Sequence, residues 1–384
     1  MKLTIFVLIQ FIFFHSIGHS ETKIPTSDEV FDEAVDGTWI PISPNEKLNT
    51  KLDSHFPAQS PIEKVMSYQT SVKRQKSRGT CTIFSTLGLL ESHLKRLEIL
   101  EGHSPVDWDL SEEWLEYLAM RNKTSEGSTT STNMRLILSE GIATEEIWPY
   151  IGKKWLTVDD SPLAKERCDQ LEGSTQLSCL WGHRAPQLLT LEDHLLNNPE
   201  HPFFDPEFVT IRKNAKENLK NLIKRNFKVR KSFKINDLKW VKSYLNKGFP
   251  LIMGTRLYYG SWNHSKTDKF DIQERDKSKW YQGIVGYPEP GSKDKLICDE
   301  KGGGHSLIIV GYDDEKVIKT RMLMENGEWK EFTYKGVYYF KNSWGTHSFG
   351  RDFNFKGRSM PGYGMITQKY AHEYGRFFHY PVRQ

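Results

Sequence analysis

Three sequence segments contain residue types that together could carry out acyl transfer. The first, residues 75–85, contains Gln75 and places Cys81 at the start of a helical apolar pattern. In the second, His305 follows three glycines and begins an apolar run, and in the third Asn342 follows a run rich in aromatic residues. A thiol can act as a nucleophile, an imidazole as its base and a side-chain amide as the group that orients the imidazole. These groups in one chain therefore predict a nucleophilic cysteine enzyme.

Each segment also has a structural interpretation when it is taken alone. A single cysteine at a helix start is more often a small buried apolar residue. A single strand histidine is usually structural, and the Asn-Ser-Trp-Gly segment that begins at Asn342 could be only a turn. A thiol at a helix N-terminus, however, lies at the positive end of the helix dipole, which lowers its pKa. We therefore expect Cys81 to ionise more readily than a free cysteine.

The composition indicates a soluble globular protein. The 384-residue chain is 37% hydrophobic, 12% aromatic and 27% charged, which excludes wholesale disorder, collagen-like repeats and a polytopic membrane protein. Its 53 lysines and arginines nearly balance 49 acidic residues, so the formal charge of +4 creates no global field for nucleic acid. No nucleotide-binding glycine pattern occurs, and the spacings of His183, His194 and His201 match no zinc motif. We expect no cofactor, no metal and no nucleic-acid partner.

The first 20 residues have the pattern of a secretory signal peptide. Lys2 precedes an apolar run over residues 3–14, and Gly18 and Ser20 are small residues before a cleavage site after Ser20. The run is shorter than the roughly 20 apolar residues that span a bilayer, although an uncleaved N-terminal anchor is the alternative. We predict a secreted or periplasmic protein with no stable membrane insertion after signal cleavage. Residues 21–65 then form an N-terminal extension or a short pro-segment.

Apolar spacing divides the rest of the chain into a helical first half and a strand-rich second half. Helical patterns begin at residue 81, near residue 111 and near residue 132, the last ending at Gly141. Apolar runs that predict strands occupy residues 250–255, 306–312 and 336–340. Residues 150–210 have weak periodicity and several prolines, and we expect irregular structure there. The pattern predicts an α+β fold with two subdomains and a cleft between them.

Residues 211–231 predict one basic amphipathic helix. Ala215, Leu219 and Leu222 form part of an apolar stripe, and lysines and arginines surround it. Such a helix could contact an anionic surface. A solvated helix face is the more common arrangement, and it is the interpretation that we favour.

At this point the sequence resembles the papain-like cysteine peptidases. Gln75 lies six positions before Cys81, as the family's oxyanion-hole glutamine lies before its nucleophile. Further segments similar to the family's motifs occur in the family's order at residues 84–85, 110–113, 141–146, 149–150, 304–305, 309–312, 341–345 and 361–364. The resemblance covers about 66–160 and 236–370.

The resemblance implies a fold and a role for each site residue. It implies a helical subdomain and a β-barrel-like subdomain within a peptidase domain at residues 66–384. Cys81, His305 and Asn342 would be catalytic, and Gln75 would contribute to the oxyanion hole. Gly303, Gly304 and Trp344 would bind substrate, with Trp344 also shielding the bond between the catalytic histidine and asparagine.

The sequence departs from the family pattern at several positions. Arg78 and Gly79 stand where the family has a structural cysteine, and Thr82 replaces the tryptophan that follows the nucleophile. The separation of Cys81 from His305 exceeds the family's roughly 130–150 residues, which predicts an insertion at about 155–235. A second insert covers residues 319–335, and residues 21–65 are too few for the family's helical pro-domain.

The remaining cysteines leave one pair and one single thiol. With Cys81 free, Cys168 and Cys179 are the natural disulfide pair of an exported chain, and Cys298 is left over. Free thiols throughout are the alternative.

These observations predict an exported cysteine peptidase that acts on protein or peptide substrates. Acyl-enzyme chemistry also permits an acyltransferase or transpeptidase, in which aminolysis exceeds hydrolysis. A secreted non-catalytic binding protein on a papain-like scaffold is the non-enzyme alternative.

Overall fold

The computed structural model describes residues 56–121, 123–224 and 234–379. The predicted signal peptide at 1–20 and residues 21–55 of the predicted extension lie outside these ranges, as do residues 225–231 of the predicted basic helix.

Within the described ranges the chain forms fourteen α-helices and nine strands. The helices are α1 (Ile62–Ser67), α2 (Cys81–Leu100), α3 (Glu112–Met120), α4 (Thr130–Glu140), α5 (Pro162–Cys168), α6 (Gly173–Gly182), α7 (Asp193–Leu196), α8 (Pro206–Lys224), α9 (Leu238–Asn246), α10 (Tyr259–Trp262), α11 (Lys266–Lys269), α12 (Lys277–Tyr281), α13 (Lys293–Lys301) and α14 (Gln368–Tyr374). The strands are β1 (Lys234–Ile235), β2 (Leu251–Arg256), β3 (Ile284–Val285), β4 (Gly304–Leu323), β5 (Trp329–Lys341), β6 (Asn354–Phe355), β7 (Arg358–Ser359), β8 (Tyr363–Thr367) and β9 (Arg376–Phe378). Single 3₁₀ turns occur at Val158–Asp160 and Pro186–Leu189. The predicted α+β class is confirmed.

The three helices predicted in the first half are present, with the expected ends. The Ser111 side chain accepts a hydrogen bond from the Trp114 N–H at 3.0 Å and so caps the start of α3. Helix α4 ends at Gly141, which has a φ of +85°. A Cβ atom there would lie 2.1 Å from the Ala215 carbonyl oxygen in α8, so both the conformation and the close approach require glycine.

The prediction of irregular structure for residues 150–210 is wrong. This segment forms α5, α6, α7 and the start of α8, besides the two 3₁₀ turns. Helices α5, α6 and α7 have 7, 10 and 4 residues, which is too short to show a clear helical period. Local signals do mark α5, because the Ser161 side chain accepts from the Leu163 N–H and Pro162 occupies the first helical position.

The predicted basic helix is α8, and it starts earlier than expected. The Asp205 side chain accepts a hydrogen bond from the Phe208 N–H at 2.9 Å, which caps the helix before Pro206. Ala215 and Leu222 are buried in the helical core, whereas Lys213, Lys216, Lys220 and Lys224 are exposed.

The second half is built on one seven-stranded sheet in the order β1-β9-β2-β4-β5-β8-β3. Neighbours are antiparallel except for β3 and β8, which are parallel. Strands β4 and β5 form a long hairpin, and the predicted insert at 319–335 is the far end of that hairpin. The sheet of the expected β-barrel-like subdomain does not close into a barrel among the described residues, since the two-residue edge strands β1 and β3 offer too few backbone groups to close it.

Two apolar cores lie on either side of the cleft. One is formed mainly by the helices of the first half and the other by the sheet with its flanking helices. Helix α2 packs closely against β4 at Gly88. A Cβ atom on this glycine would lie only 2.8 Å from Ile308 Cδ1. Ile62 and Val65, at the end of the predicted extension, are buried in the sheet core. None of the described helices is long and apolar enough to cross a membrane.

Candidate active site

A cleft of about 360 Å³ lies between α2 and the sheet. Its lining includes Cys81 at the start of α2 and Gly304, His305 and Ser306 at the start of β4. The structure therefore brings together Cys81 and His305, which are far apart in sequence.

The Cys81 thiol is largely shielded from water. The residue is 6% exposed. Burial raises the pKa of the Cys81 thiol to about 11, although the nearby backbone of Ser306, Thr82 and Cys81 opposes this shift. The sequence expectation of an easily ionised thiol differs from this result, because desolvation of the thiolate outweighs the favourable helix start and the nearby backbone.

His305 is oriented by Asn342. The imidazole Nε2 lies 2.8 Å from the Asn342 Oδ1, which also accepts a hydrogen bond from the Ser343 N–H at 2.8 Å. Since that carbonyl oxygen can only accept, Nε2 carries the proton when the ring is neutral, and Nδ1 is left as the basic nitrogen. Burial lowers the pKa of His305 to about 4, with the Asn342 hydrogen bond acting in the opposite direction.

Trp344 covers the imidazole. The two rings are stacked with centroids 4.4 Å apart and planes at 24°, and the tryptophan is 2% exposed. Trp262 meets the same imidazole edge-on at 5.8 Å. These indoles hold the ring in place and keep water from the histidine–asparagine bond.

Gln75 is tied to the segment that follows Asn342. Its side-chain oxygen accepts from the Ser343 hydroxyl at 2.6 Å, and its Nε2 donates to the Arg78 carbonyl at 2.8 Å. The residue is fully buried. One of its two amide hydrogens is therefore engaged within the loop that precedes Cys81.

Of the three residues predicted to bind substrate, only one lines the cleft. Gly304 lines the cleft. The Gly303 N–H instead donates a hydrogen bond to the Tyr259 hydroxyl at 3.1 Å. Trp344 stacks on the His305 ring. Neither Gly303 nor Trp344 is among the described residues that line the cleft.

A buried ion cluster fixes the loop before Cys81. Arg78, where the resemblance implies a structural cysteine, is fully buried. Its Nε donates to the Glu126 Oε1 at 2.8 Å, and its Nη2 donates to the Glu116 Oε1 at 3.2 Å and to the Trp181 carbonyl at 2.6 Å. The second oxygen of Glu126 accepts from the Gly79 N–H at 3.0 Å. Ionic and hydrogen-bonded contacts thus hold this loop, which lacks the structural cysteine of the family pattern.

Sequence reasoning missed a buried lysine behind the site. The Lys341 Nζ donates to the Thr70 carbonyl at 2.9 Å, and burial lowers the pKa of Lys341 to about 8. A cavity of about 20 Å³ lies between this lysine and the paired Ser85 and Ser306 hydroxyls, large enough for one water. The only sequence signal was the position of Lys341 directly before Asn342.

The other predicted groups lie away from the cleft. Cys168 and Cys179 form a disulfide between α5 and α6, with Cα atoms 5.7 Å apart, and Cys298 is a buried free thiol. The His183 Nδ1 contacts Glu113, and its Nε2 lies 3.1 Å from the Lys153 carbonyl. Among the described residues, no group of three or more His, Cys, Asp or Glu could hold a metal ion.

Comparison with known proteins gives similarities of structure at low identity. No family model matches the chain, and no curated protein matches its sequence. The chain is similar to xylellain, a cysteine protease from Xylella fastidiosa, with a TM-score of 0.46 and 15% identity over 91% of this chain and 97% of that one. It is also similar to procathepsin L 3 of Tenebrio molitor larval midgut, with a TM-score of 0.41 and 14% identity over 93% and 79% of the two chains. The bromelain protease from Ananas comosus in complex with the E64 inhibitor gives a TM-score of 0.41 and 14% identity over 85% and 100%.

Proposed function

We propose that this protein is a cysteine peptidase that hydrolyses peptide bonds through an acyl-enzyme. The observation that carries the proposal is the arrangement of Cys81 and His305 in one cleft, with the His305 Nε2 2.8 Å from the Asn342 Oδ1 and the imidazole stacked on Trp344. A structural cysteine and a structural histidine need neither an open cleft between them nor an amide that fixes the imidazole tautomer.

In the proposed reaction the Cys81 sulfur attacks the carbonyl carbon of the scissile bond. Burial favours the neutral thiol and the neutral imidazole, so the thiol proton passes to the His305 Nδ1 as the attack occurs. The C–N bond then breaks, the leaving amine takes that proton, and a thioester remains. A water molecule gives a proton to His305 and its oxygen attacks the thioester, after which the carboxylic acid leaves and the thiol is restored.

The negative oxygen of each tetrahedral intermediate needs donors. The proposal assigns this role to the Cys81 backbone N–H and the second amide hydrogen of Gln75. The Ser343 and Arg78 contacts of the Gln75 side chain support it, because they hold the amide rigid. Loss of one such donor typically lowers kcat by about 10²- to 10³-fold.

Export is part of the proposal. The signal-peptide pattern at residues 1–20 supports it. The Cys168–Cys179 disulfide adds support, since disulfides persist in oxidising compartments. The exposed lysines of α8 are compatible with both interpretations of this helix, a solvated face and contact with an anionic surface.

The test is hydrolysis of a fluorogenic peptide library by the purified chain, before and after limited proteolysis. We expect turnover that is abolished in Cys81→Ala and His305→Ala and falls about 10²- to 10³-fold in Gln75→Ala. Cys298→Ala, which removes the other buried free thiol, is the matched control and keeps turnover. Cleavage that persists in Cys81→Ala contradicts the proposal. An excess of aminolysis over hydrolysis when an amine acceptor is added assigns the same site to a transpeptidase.

A further inference from the structure

We propose that Glu126 is a positioning residue for the proposed peptide hydrolysis. Its carboxylate joins two loops that contribute to the cleft lining, which we name the oxyanion loop (residues 75–80) and the wall loop (residues 123–129). By holding the two loops together, it sets the place of the donors assigned to the oxyanion. This inference rests on the proposed peptidase function, and it adds a residue that no sequence pattern singled out.

The Glu126 carboxylate binds two consecutive residues of the oxyanion loop. Its Oε1 accepts a hydrogen bond from the Arg78 Nε at 2.8 Å, and its Oε2 accepts one from the Gly79 N–H at 3.0 Å. The approach is close, because a Cβ atom on Gly79 would lie 3.3 Å from the Glu126 Cβ. The Glu126 side chain is only 9% exposed, and hydrogen bonds to an ionised carboxylate are stronger than those between neutral groups. Glu126 therefore fixes both the side chain of Arg78 and the backbone of Gly79.

The residues that Glu126 holds also hold the proposed oxyanion donors. The Arg78 carbonyl accepts a hydrogen bond from the Gln75 Nε2 at 2.8 Å. The Cys81 N–H follows Gly79 in the same short stretch of backbone. Displacement of Arg78 and Gly79 therefore moves both the Gln75 amide and the Cys81 N–H. A misplacement of about 1 Å can lower a catalysed rate by about a hundredfold.

The wall loop meets the residues around the nucleophile at a second point. Gly127 and Ser128 directly follow Glu126 and line the same cleft as Cys81. The Ser128 Oγ lies 2.8 Å from the Thr82 Oγ1. This hydroxyl pair joins two neutral side chains, whereas the Glu126 carboxylate contacts a guanidinium and a backbone N–H. Loss of the carboxylate should therefore disturb the junction of the two loops more than loss of the hydroxyl pair.

The charges of the cluster separate this role from a general contribution to stability. Arg78 contacts Glu113 and Glu116 as well as Glu126. Burial raises the pKa of Glu116 to about 8, and the negative charge of Glu126 adds to that rise. Glutamine at position 126 removes this repulsion and leaves Arg78 with two carboxylate partners. It also turns an amide NH₂ toward either Arg78 or Gly79, whose groups there only donate. Glu126→Gln should therefore disturb the loop contact more than the stability of the protein.

The test compares Glu126→Gln with Glu98→Gln in urea unfolding and in steady-state kinetics on a fluorogenic peptide. Glu98 is the matched control, because this buried glutamate also accepts from one backbone N–H and one side-chain N–H, those of Val106 and Trp108, but lies near the far end of α2. We expect kcat of Glu126→Gln to fall about ten- to a hundredfold at a KM within about threefold of the wild type. Glu98→Gln should keep the kcat of the wild type, even where it loses stability.

A double-mutant cycle with Gln75→Ala tests whether the effect runs through the oxyanion donors. When Gln75 is already alanine, one donor that Glu126 positions is missing, so Glu126→Gln should lower kcat by a smaller factor than in the wild type. Equal factors in the two backgrounds overturn the assignment.

Glu126→Asp is the second variant. It keeps the charge beside Arg78, but its shorter side chain cannot reach both donors unless the loops shift. Its kcat should lie between those of the wild type and Glu126→Gln, and it decides the question if Glu126→Gln does not fold. A kcat within about twofold of the wild type in the folded variant, or an equal fall in Glu98→Gln, overturns the inference while peptide turnover still supports the peptidase. Absence of all turnover by the wild type, with or without limited proteolysis, overturns both.

Discussion

Replacing Arg78 by methionine should destabilise the protein strongly, because it removes a buried side-chain cation that contacts three carboxylates. The Arg78 guanidinium contacts Glu113, Glu116 and Glu126, and the arginine and the first two glutamates are fully or almost fully buried. Methionine is similar in length to the arginine stem, so the change removes charge and hydrogen bonds while it leaves little empty space.

The size of this destabilisation follows from the burial of the glutamates that Arg78 contacts. Removing one member of a buried ion pair costs about 3–5 kcal/mol, since the other charge is left uncompensated. A domain has a total stability of about 5–15 kcal/mol, so this loss is a large part of it. Burial already raises the pKa of Glu116 to about 8 with the arginine present, and the Arg78 charge opposes that shift.

The loss of stability in Arg78→Met should also depend on pH. The folded protein holds a proton on Glu116 up to about pH 8, whereas an unfolded glutamate releases it near its ordinary pKa of about 4.3. Stability from this group therefore falls as the pH rises through that window. Arg78 also helps to lower the pKa of Glu113. Its removal raises that pKa, so the deficit of Arg78→Met should grow from pH 5 to pH 8. The limit is about 1.4 kcal/mol per pH unit for each such carboxyl.

Urea unfolding at pH 5 and pH 8 measures both the loss of stability in Arg78→Met and its dependence on pH. Arg135→Met, which removes an exposed arginine from α4, is the matched control and should stay within about 0.5 kcal/mol of the wild type. Arg78→Lys should fall between the two, because lysine keeps the charge but loses the fork geometry. An Arg78→Met protein within about 1 kcal/mol of the wild type at pH 8, or a deficit that does not depend on pH, would refute this reasoning.

Three further predictions concern the site and its support. Trp344→Phe should lower kcat by up to about tenfold at unchanged KM, since it weakens the stacking on His305. A kcat equal to that of the wild type in steady-state kinetics contradicts this role of Trp344. Replacing Cys168 and Cys179 by alanine should lower the free energy of unfolding by about 2–4 kcal/mol, because the disulfide no longer constrains the unfolded chain. A urea unfolding midpoint equal to that of the wild type contradicts this prediction. Burial raises the pKa of Cys81 to about 11, so the ultraviolet thiolate absorbance, measured as a difference from Cys81→Ala, should be absent at pH 6 and appear only in alkali. A thiolate signal at pH 6 would mean that attraction to a protonated His305 outweighs burial.

Local patterns in the sequence were sufficient for much of the architecture. The helix that starts at Cys81, the cap at Ser111 and the stop at Gly141 are each set by a few neighbouring residues, and the structure contains all three. The β4–β5 hairpin was visible only as two short apolar runs. Its far half is largely exposed and carries many charges, so no apolar run marks it as a strand.

Apart from the set of Cys81, His305 and Asn342, long-range contacts could not be predicted from the sequence. The partners of Arg78 come from α3, from the loop at Glu126 and from Trp181 in α6, and no spacing rule connects them. Arg376 reaches the cleft only because β9 adds to the sheet next to β2. The raised pKa of Cys81 likewise depends on how deeply the packed chain buries the thiol, whereas the sequence revealed only the favourable helix start.

The most direct measurement of the central claim is covalent labelling with a biotinylated epoxysuccinyl probe, followed by mapping of the modified peptide. The account predicts modification of Cys81, retained in Cys298→Ala and lost in His305→Ala, because only a thiol with an adjacent base in an open cleft reacts with this probe. Labelling at Cys298 instead, or no labelling of the folded protein before and after limited proteolysis, would contradict it.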